Sequence, residues 1–372
     1  MSDVRVRPVE GKRDVRRFIK LLWKIYRDDP NWVPPLLMDR RKILDTAHNP
    51  FYKHADIALF LAEKDGDLVG RIAGIVNHAH NKEHEENVGF YGFFESVNDQ
   101  SVANSLFDAA RRWLRSKGVT AMRGPANPSV NDDWGLLVEG FDLPPVFMMP
   151  YNPHYYVDLH ETYGLKKLKD LYAYKLSKDR VFTEKFVRVA EAMKERQGLA
   201  IRTINMDDFE NEVKRIKVLY NSAWSRNWGA VPMTDEEFDY LANDLKKVVV
   251  PELVLIAELK GEPIGFALTL PDLNIALKHN RHGWLIPGFI RLLLHKKKIN
   301  WVRIITLGVV PEHLRSGAAA ILFYETGRRG VTLGYPFGEA SWVLEDNVMM
   351  NRAAEFMNAE LYKKYRIFEI PV

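Results

Sequence analysis

The strongest constraint on this chain is an order of elements that it runs through twice. In the first half, Val15 to Tyr26 carries apolar residues at helical spacing (Phe18, Leu21, Leu22, Ile25), and Asp28-Asp-Pro-Asn-Trp-Val-Pro-Pro35 stops that helix. Ile57–Glu63 and Leu68–Val76 are apolar runs joined by Lys64-Asp65-Gly66-Asp67, a hairpin signal. Asn77 to Asn87 reads as a polar loop and Gly89–Glu95 as a strand. Asp99–Lys117 is an amphipathic helix, with Val102, Leu106, Ala109, Ala110, Trp113 and Leu114 on one side and Gly118 ending it. Gly124 to Pro153 reads as loops around short strands. The second half repeats the order. The spacing predicts helices over Arg180–Arg196 and Asp208–Trp224, with a strand over Leu199–Thr203. A hairpin of Glu252–Glu258 and Pro263–Leu270 turns at Lys260-Gly261-Glu262. Then come a strand over Ile304–Val310, a helix over Ser316–Arg328, a strand over Ala340–Leu344, a helix over Val348–Met357 and a strand-like end, Tyr365–Ile370. Such a succession predicts a mixed α+β chain built from a duplicated fold, with domains over 1–178 and 179–372.

Composition narrows the functions. Lys and Arg number 53 against 49 Asp and Glu, so a net charge of +4 over 372 residues gives no bulk argument for nucleic acid or membrane binding. With 47% apolar and 27% charged residues, the chain reads as globular rather than disordered. It contains no cysteine, which excludes disulfides, thiolate metal sites and cysteine nucleophiles, and fits a reducing compartment. The N-terminus is charged and lacks an apolar core, so no signal peptide is expected, and no window approaches the length of a spanning helix. A cytoplasmic protein is the expectation.

The segment Ile304-Ile-Thr-Leu-Gly-Val-Val-Pro-Glu-His-Leu-Arg-Ser-Gly-Ala-Ala-Ala-Ile-Leu322 carries most of the functional information. A strand runs into a tight turn and then into a helix start made of small residues. Such a turn presents backbone N–H groups to an anion, and the helix N-terminus adds its dipole. Gly317, Ala318, Ala319 and Ala320 leave room for a phosphate, and Arg315 stands beside them. This segment resembles the acyl-CoA pyrophosphate loop of the GNAT N-acyltransferase superfamily, with Pro311, Gly317, Ala319 and Leu322 at matching positions. The position that usually holds Arg or Gln is Leu314 here, with the arginine one residue later. Ser341-Trp-Val-Leu-Glu-Asp-Asn347-Val-Met-Met-Asn351 matches the next strand and short helix, and Gly265-Phe266 matches the preceding strand pair. The resemblance covers Leu199 to the C-terminus. It implies two GNAT-like domains, each a twisted, mixed, mostly antiparallel sheet flanked by helices. The first is a degenerate copy, because Asn98-Asp-Gln-Ser-Val-Ala-Asn104 puts an acid and no glycine where phosphate would lie.

The resemblance further implies acyl transfer from acetyl-CoA or another acyl-CoA, as co-substrate, to the primary amine of a small molecule or peptide. Backbone groups at Leu307, Val309 and Val310, with Arg315, Ser316, Gly317, Ala318, Ala319 and Asn347, would hold the cofactor. Glu339 and Glu345 are candidate general bases; six residues apart, they share a face if the strand is regular. The usual tyrosine acid is replaced by Ala354, leaving Tyr362 or Tyr365 from the tail, with Tyr365 taken as the candidate. Asp272 and Asn274 follow the hairpin where an acceptor would bind, although an Asx turn explains Asp272 as well. Ala354 and Leu314 keep an alternative open: a non-catalytic acyl-CoA-binding or scaffold protein of the same fold.

Two features stand outside this reading. Between Lys278 and Arg303 lie seven Lys/Arg and no Asp/Glu, interleaved with Ile286, Phe289, Ile290, Leu292 and Leu293. A helix packed on its own domain is the plainer expectation. The alternatives are a lid, or a surface helix that screens a phosphate, recruits an acidic acceptor or touches anionic lipid, as in an O- or lipid-directed transferase. His78, His80 and His84 have ligand-like spacing but sit in a polar stretch, so no metal site is expected. Hydrolase, NTPase and dinucleotide motifs are absent from the sequence.

Overall fold

In a computed structural model of the chain, residues 4–224 and 227–372 are described, with the side chains of 195–197 excepted. The chain partitions into two compact units. One comprises Met1–Leu171, Leu277–Arg291 and Lys363–Val372; the other comprises Tyr172–Ala276 and Leu292–Tyr362.

The first unit opens with β1 (Arg5–Pro8) and the short helices α1 (Gly11–Lys20), α2 (Leu22–Ile25) and α3 (Leu37–Ile43). There follow β2 (Ala55–Lys64), β3 (Asp67–Asn77), α4 (His78–His84), β4 (Val88–Ser96), α5 (Gln100–Ser116) and β5 (Ala121–Gly124). The unit is completed by β6 (Ala126–Asn127), β7 (Asp133–Trp134), β8 (Leu136–Glu139), α6 (Tyr156–Tyr163) and the start of β9 (Lys166–Ser177). Its sheet runs β1-β2-β3-β4-β5 and then the last residues of the chain, Phe368–Pro371, antiparallel to β5. β4 and β5 pair in parallel, whereas β1–β2, β2–β3 and β3–β4 pair antiparallel. Val102, Leu106, Phe107, Ala110 and Leu114 of α5 bury the helix's apolar stripe on Ile72, Tyr91 and Phe94.

The second unit contains α7 (Lys178–Val181), α8 (Glu184–Gln197), β10 (Leu199–Thr203), α9 (Phe209–Trp224), α10 (Asp235–Leu245), β11 (Val254–Leu259), β12 (Glu262–Pro271) and α11 (Asn274–Leu277). Beyond α12 (Leu285–His295) come β13 (Trp301–Val309), α13 (Ala318–Thr332), β14 (Phe337–Leu344), α14 (Val348–Phe356) and β15 (Glu360–Pro371). The order here is β9-β14-β13-β12-β11-β10, and β13–β14 is the parallel pair. Ala318, Ile321 and Leu322 of α13 pack on Leu255, Ala257, Ile264, Ala267 and Val309.

The expected mixed fold is therefore present, and both hairpins turn where the sequence places them. Asp65 and Gly66 (φ +52° and +84°) and Lys260 and Gly261 (φ +54° and +85°) form two-residue turns with both central residues left-handed, which match the twist of the flanking strands. Asn77–Asn87 is not a loop, however. Asn77 caps α4 by accepting from the His80 amide, a polar helix whose start carries no apolar run to reveal it.

Candidate functional site

The parallel pair of the second unit separates. Its register runs from Trp301↔Phe337 to Ile304↔Ala340 and stops, while β13 continues to Val309 and β14 to Leu344. At the same place the register with β12 slips, from Thr269↔Ile304 to Leu268↔Thr306, so Ile305 is the extra residue of a bulge. A bulge bends its strand and leaves backbone groups unpaired. Ile305, Thr306 and Leu307 are partly exposed between the buried stretches 302–304 and 308–309 of β13, and Thr306 Oγ1 has no hydrogen-bond partner among the described residues.

Beyond the open stretch the chain tightens. The Val310 amide donates to Ile264 O at 2.9 Å, Pro311–His313 makes one 3₁₀ turn, and Ser316 N donates to His313 O at 3.0 Å. Gly317 then caps α13 at φ +77°, a conformation that favours glycine. The Ser316 hydroxyl accepts from the Ala318 amide at 3.2 Å. Amides of a helix's first turn have no acceptor inside the helix, and here the Ala318 amide is taken by Ser316. Gly317, Ala318 and Ala319 follow β13 by one tight turn. Arg315 and Leu314 are exposed beside them.

At the vertex of the opening lies a buried polar chain. Arg303 and Glu339 are register partners, 3% and 0% exposed. The Ser341 hydroxyl donates to Glu339 Oε1 at 2.5 Å and accepts from Arg303 Nε at 3.1 Å. The Tyr362 hydroxyl donates to the other carboxylate oxygen of Glu339. Arg303 also lies over the Trp342 ring, 5.1 Å from its centroid. Glu339 and Ser341 face the same side by strand alternation, and Ser341 is the first residue past the last paired position.

The other sequence candidates are placed differently. Glu345 lies beyond the end of β14, so strand alternation does not extend to it, and its carbonyl accepts from Asn351 Nδ2 at 3.1 Å. Asn347 is the N-cap of α14, accepting from the Met350 amide at 3.1 Å. Asp272 Oδ1 accepts from the Asn274 amide at 3.1 Å, an Asx turn that opens α11. Tyr365 is wholly buried in the first unit, where it pairs with Leu137 of β8. Of the two tail tyrosines it is Tyr362 that meets Glu339. Ala354 is buried in the core beside Tyr324 and Met357. Arg303 and Ser341 were missed by the sequence reading; the cross-strand register that joins them to Glu339 leaves no local motif. Among the described residues no cluster of three or more His, Asp or Glu is arranged to hold a metal. His80 is buried against Glu86 (3.1 Å), and burial lowers its pKa to about 4.

The first unit carries the equivalent parallel pair. Its register also stops, at Phe90↔Arg123, while β4 continues to Ser96. Here the chain itself fills the space: Asn127 Oδ1 accepts from the Phe93 amide, and a Cβ on Gly92 would lie 1.7 Å from Ala126 O. The cap of α5 is Asp99, which accepts from the Ser101 amide at 2.8 Å and pairs with Lys64 at 2.6 Å.

Two units, each with a separating parallel strand pair followed by a helix, define a tandem GNAT-type fold. A tandem GNAT protein from the clavulanic acid biosynthesis pathway has this fold over 99% of this chain and 98% of its own, with a TM-score of 0.56 at 11% identity. No protein-family model matches the chain. A bacterial ceramide synthase of Caulobacter vibrioides is 36% identical over 99% of this chain and 97% of its own length, and protein YghO of Escherichia coli is 34% identical over 98% and 94%. The chain belongs to the family of these two relatives, and its fold is of the tandem GNAT type.

Proposed function

We propose that the protein transfers a long-chain acyl group from acyl-CoA to the primary amine of a long-chain amino alcohol, with the second unit holding the donor. The observation that carries this reading is the open separation of β13 and β14 leading straight into a glycine-capped helix. The residues fit the donor: the edge of β13 at Ile305–Leu307, past its last pair with β14, offers backbone groups to a pantetheine chain, and the small residues Gly317, Ala318 and Ala319 allow a pyrophosphate to approach the start of α13, where Ser316 already holds the Ala318 amide. Arg315 supplies a mobile counter-charge. The acyl length and acceptor come from the relative called a ceramide synthase, since a ceramide is the fatty amide of such an amino alcohol.

In the reaction the amine nitrogen attacks the thioester carbonyl, the C–S bond breaks, and the amine's proton passes by way of the site to the departing thiolate. Donors along the β13 edge would stabilise the carbonyl oxygen as charge develops. Glu339 is assigned as the group that takes the amine proton, directly or through a water, with Tyr362 and Ser341 holding its carboxylate. Tyr362 is assigned as the donor to the thiolate. Glu345, Asn347, Asp272 and Asn274 take supporting roles in shaping the turns around the opening.

The test is turnover. Acetyl-, octanoyl- and palmitoyl-CoA are each given with a long-chain 2-amino-1,3-diol, and released thiol is read with a thiol reagent; the chain has no cysteine to interfere. Amine-dependent consumption of the longer thioesters supports the reading. Turnover confined to acetyl-CoA keeps N-acyl transfer and removes the lipid substrate. Binding without turnover leaves the protein as an acyl-CoA-binding scaffold.

A further inference from the structure

α12 is an apolar helix that the fold holds outward. The segment before it is fixed within the first unit: Trp23 Nε1 donates to Arg281 O at 2.7 Å, and the Leu37 amide donates to Gly283 O at 2.8 Å. Asn280, 3% exposed, donates to Trp284 O at 2.9 Å, and a Cβ on Gly288 would come within 2.8 Å of the Asn280 amide nitrogen and 3.1 Å of Leu36. Gly283, at φ +65°, leaves no room for a side chain between Pro35 O and the Trp23 ring. Anchored this way, the helix turns only a narrow stripe inward, at Gly288, Leu292 and His295.

The remaining faces are apolar and exposed. Trp284 is 58% exposed, Ile286 73%, Phe289 59%, Leu293 60% and Leu294 66%. Isolated exposed apolar residues are ordinary; a contiguous set on a rigid helix marks a surface that contacts something apolar. The charge around it is of one sign. No Asp or Glu occurs from Leu273 to Val310, whereas Lys278, Arg281, Arg291 and Lys296–Lys298 bracket the helix. A pocket of about 520 Å³ beside the helix is lined by Lys278, Arg281, Arg291, Asn280 and two histidines, together with Pro287, and by no acidic residue. At roughly 1.5 Å per residue the helix is about 16 Å long, too short to span a bilayer and suited to lying in its interface. No helix among the described residues is long and apolar enough to cross a membrane.

We propose that α12 docks this protein on an anionic bilayer surface, its apolar face in the headgroup–acyl boundary and its basic flanks on lipid phosphates. A second protein copy would bury the apolar face but would have to accommodate a one-signed ring of cations against itself. An anionic bilayer meets both the apolar and the basic parts at once. The inference does not depend on the acyl-transfer reading, because vesicle binding needs no substrate.

The test is co-sedimentation of the full chain with vesicles of mixed phosphatidylglycerol and phosphatidylcholine, and of phosphatidylcholine alone. Binding is expected to the first and to fall steeply with salt. Ile286→Asp with Phe289→Asp should abolish it, and each of Lys296→Ala, Lys297→Ala and Lys298→Ala should weaken it about fivefold. All these side chains are exposed, so thermal midpoints should match wild type. Absence of binding to the anionic vesicles, equal binding to both compositions, or unaltered binding by the folded variants would each overturn the proposal. So would a wild-type dimer in sedimentation equilibrium that Ile286→Asp converts to a monomer, with no vesicle binding by either.

Discussion

The two parallel strand pairs begin alike and end differently. In each, the register stops part-way along the longer strand, after Phe90↔Arg123 in one unit and Ile304↔Ala340 in the other. Each also has a buried arginine near the vertex: Arg123, held by Glu86 and Glu369, and Arg303, held through Ser341 beside Glu339. Past the vertex the first pair is closed by its own chain, with Asn127 satisfying the Phe93 amide, and the helix beyond is capped by an aspartate already paired with a lysine. The second pair is left open, and its helix is capped by glycine. The same fold thus yields one parallel pair whose Phe93 amide is satisfied by its own chain and one that leaves Thr306 Oγ1 without a partner among the described residues. Polar groups without a partner are costly when buried and useful when a ligand covers them. On the proposed reading one acyl-CoA is expected to bind per chain, and calorimetric stoichiometry checks it.

Substitutions at the two strand openings test the contrast between the units. The largest effect is expected at Gly92→Ala, because its Cβ would lie 1.7 Å from Ala126 O and the plug would have to move. A loss of about 4 kcal/mol in urea unfolding is expected; near-wild-type stability would mean that β6 is not a fixed part of the first unit. Next comes Glu339→Gln. Its kcat/KM should fall at least ~100-fold, as for loss of a general base, while acyl-CoA affinity in calorimetry stays the same. A variant that only unfolds more easily, with kcat unchanged, would make Glu339 a purely structural partner of Arg303. Gly317→Glu should weaken acyl-CoA binding by roughly 100-fold, about 2.7 kcal/mol, by putting bulk and negative charge at the cap of α13. Asp99→Asn, at the matching cap of the first unit, should leave affinity and stoichiometry unchanged, and a second binding event in either protein would erase the distinction between the copies.

The smallest effect concerns pH. Hydrogen bonds from Lys64, and then from Ser101, hold the Asp99 carboxyl at about 2, below its ordinary 3.8. A lowered folded-state pKa contributes stability that is complete above the unfolded value and disappears as pH falls from about 3.8 towards 2. The pair is partly exposed, so screening limits the contribution to about 1 kcal/mol. Urea midpoints of wild type and Asp99→Asn should differ at neutral pH and converge near pH 2.

Much of the fold was legible because it is written in local chemistry. Lys64-Asp65-Gly66-Asp67 and Lys260-Gly261-Glu262 set their hairpins by left-handed turn residues, and the apolar stripe of α5 follows helical spacing. The tight turn from Pro311 into the small-residue start of α13 was equally readable, since Gly317 takes the left-handed conformation that the helix cap requires. What the sequence alone determined, then, was the order of elements, the turn chemistry, the small-residue helix start of α13 and the acid at the cap of α5. Tertiary structure decided the rest. That Ile305 bulges and β14 parts from β13 depends on pairing between strands distant in sequence. That Tyr362 rather than Tyr365 reaches Glu339 depends on where β15 passes from one unit to the other. That Asn127 closes the opening of the first unit depends on a loop returning to a strand 34 residues away. Side-chain spacing encodes a residue's own helix face or strand side; it carries no record of which distant backbone will use the groups left over.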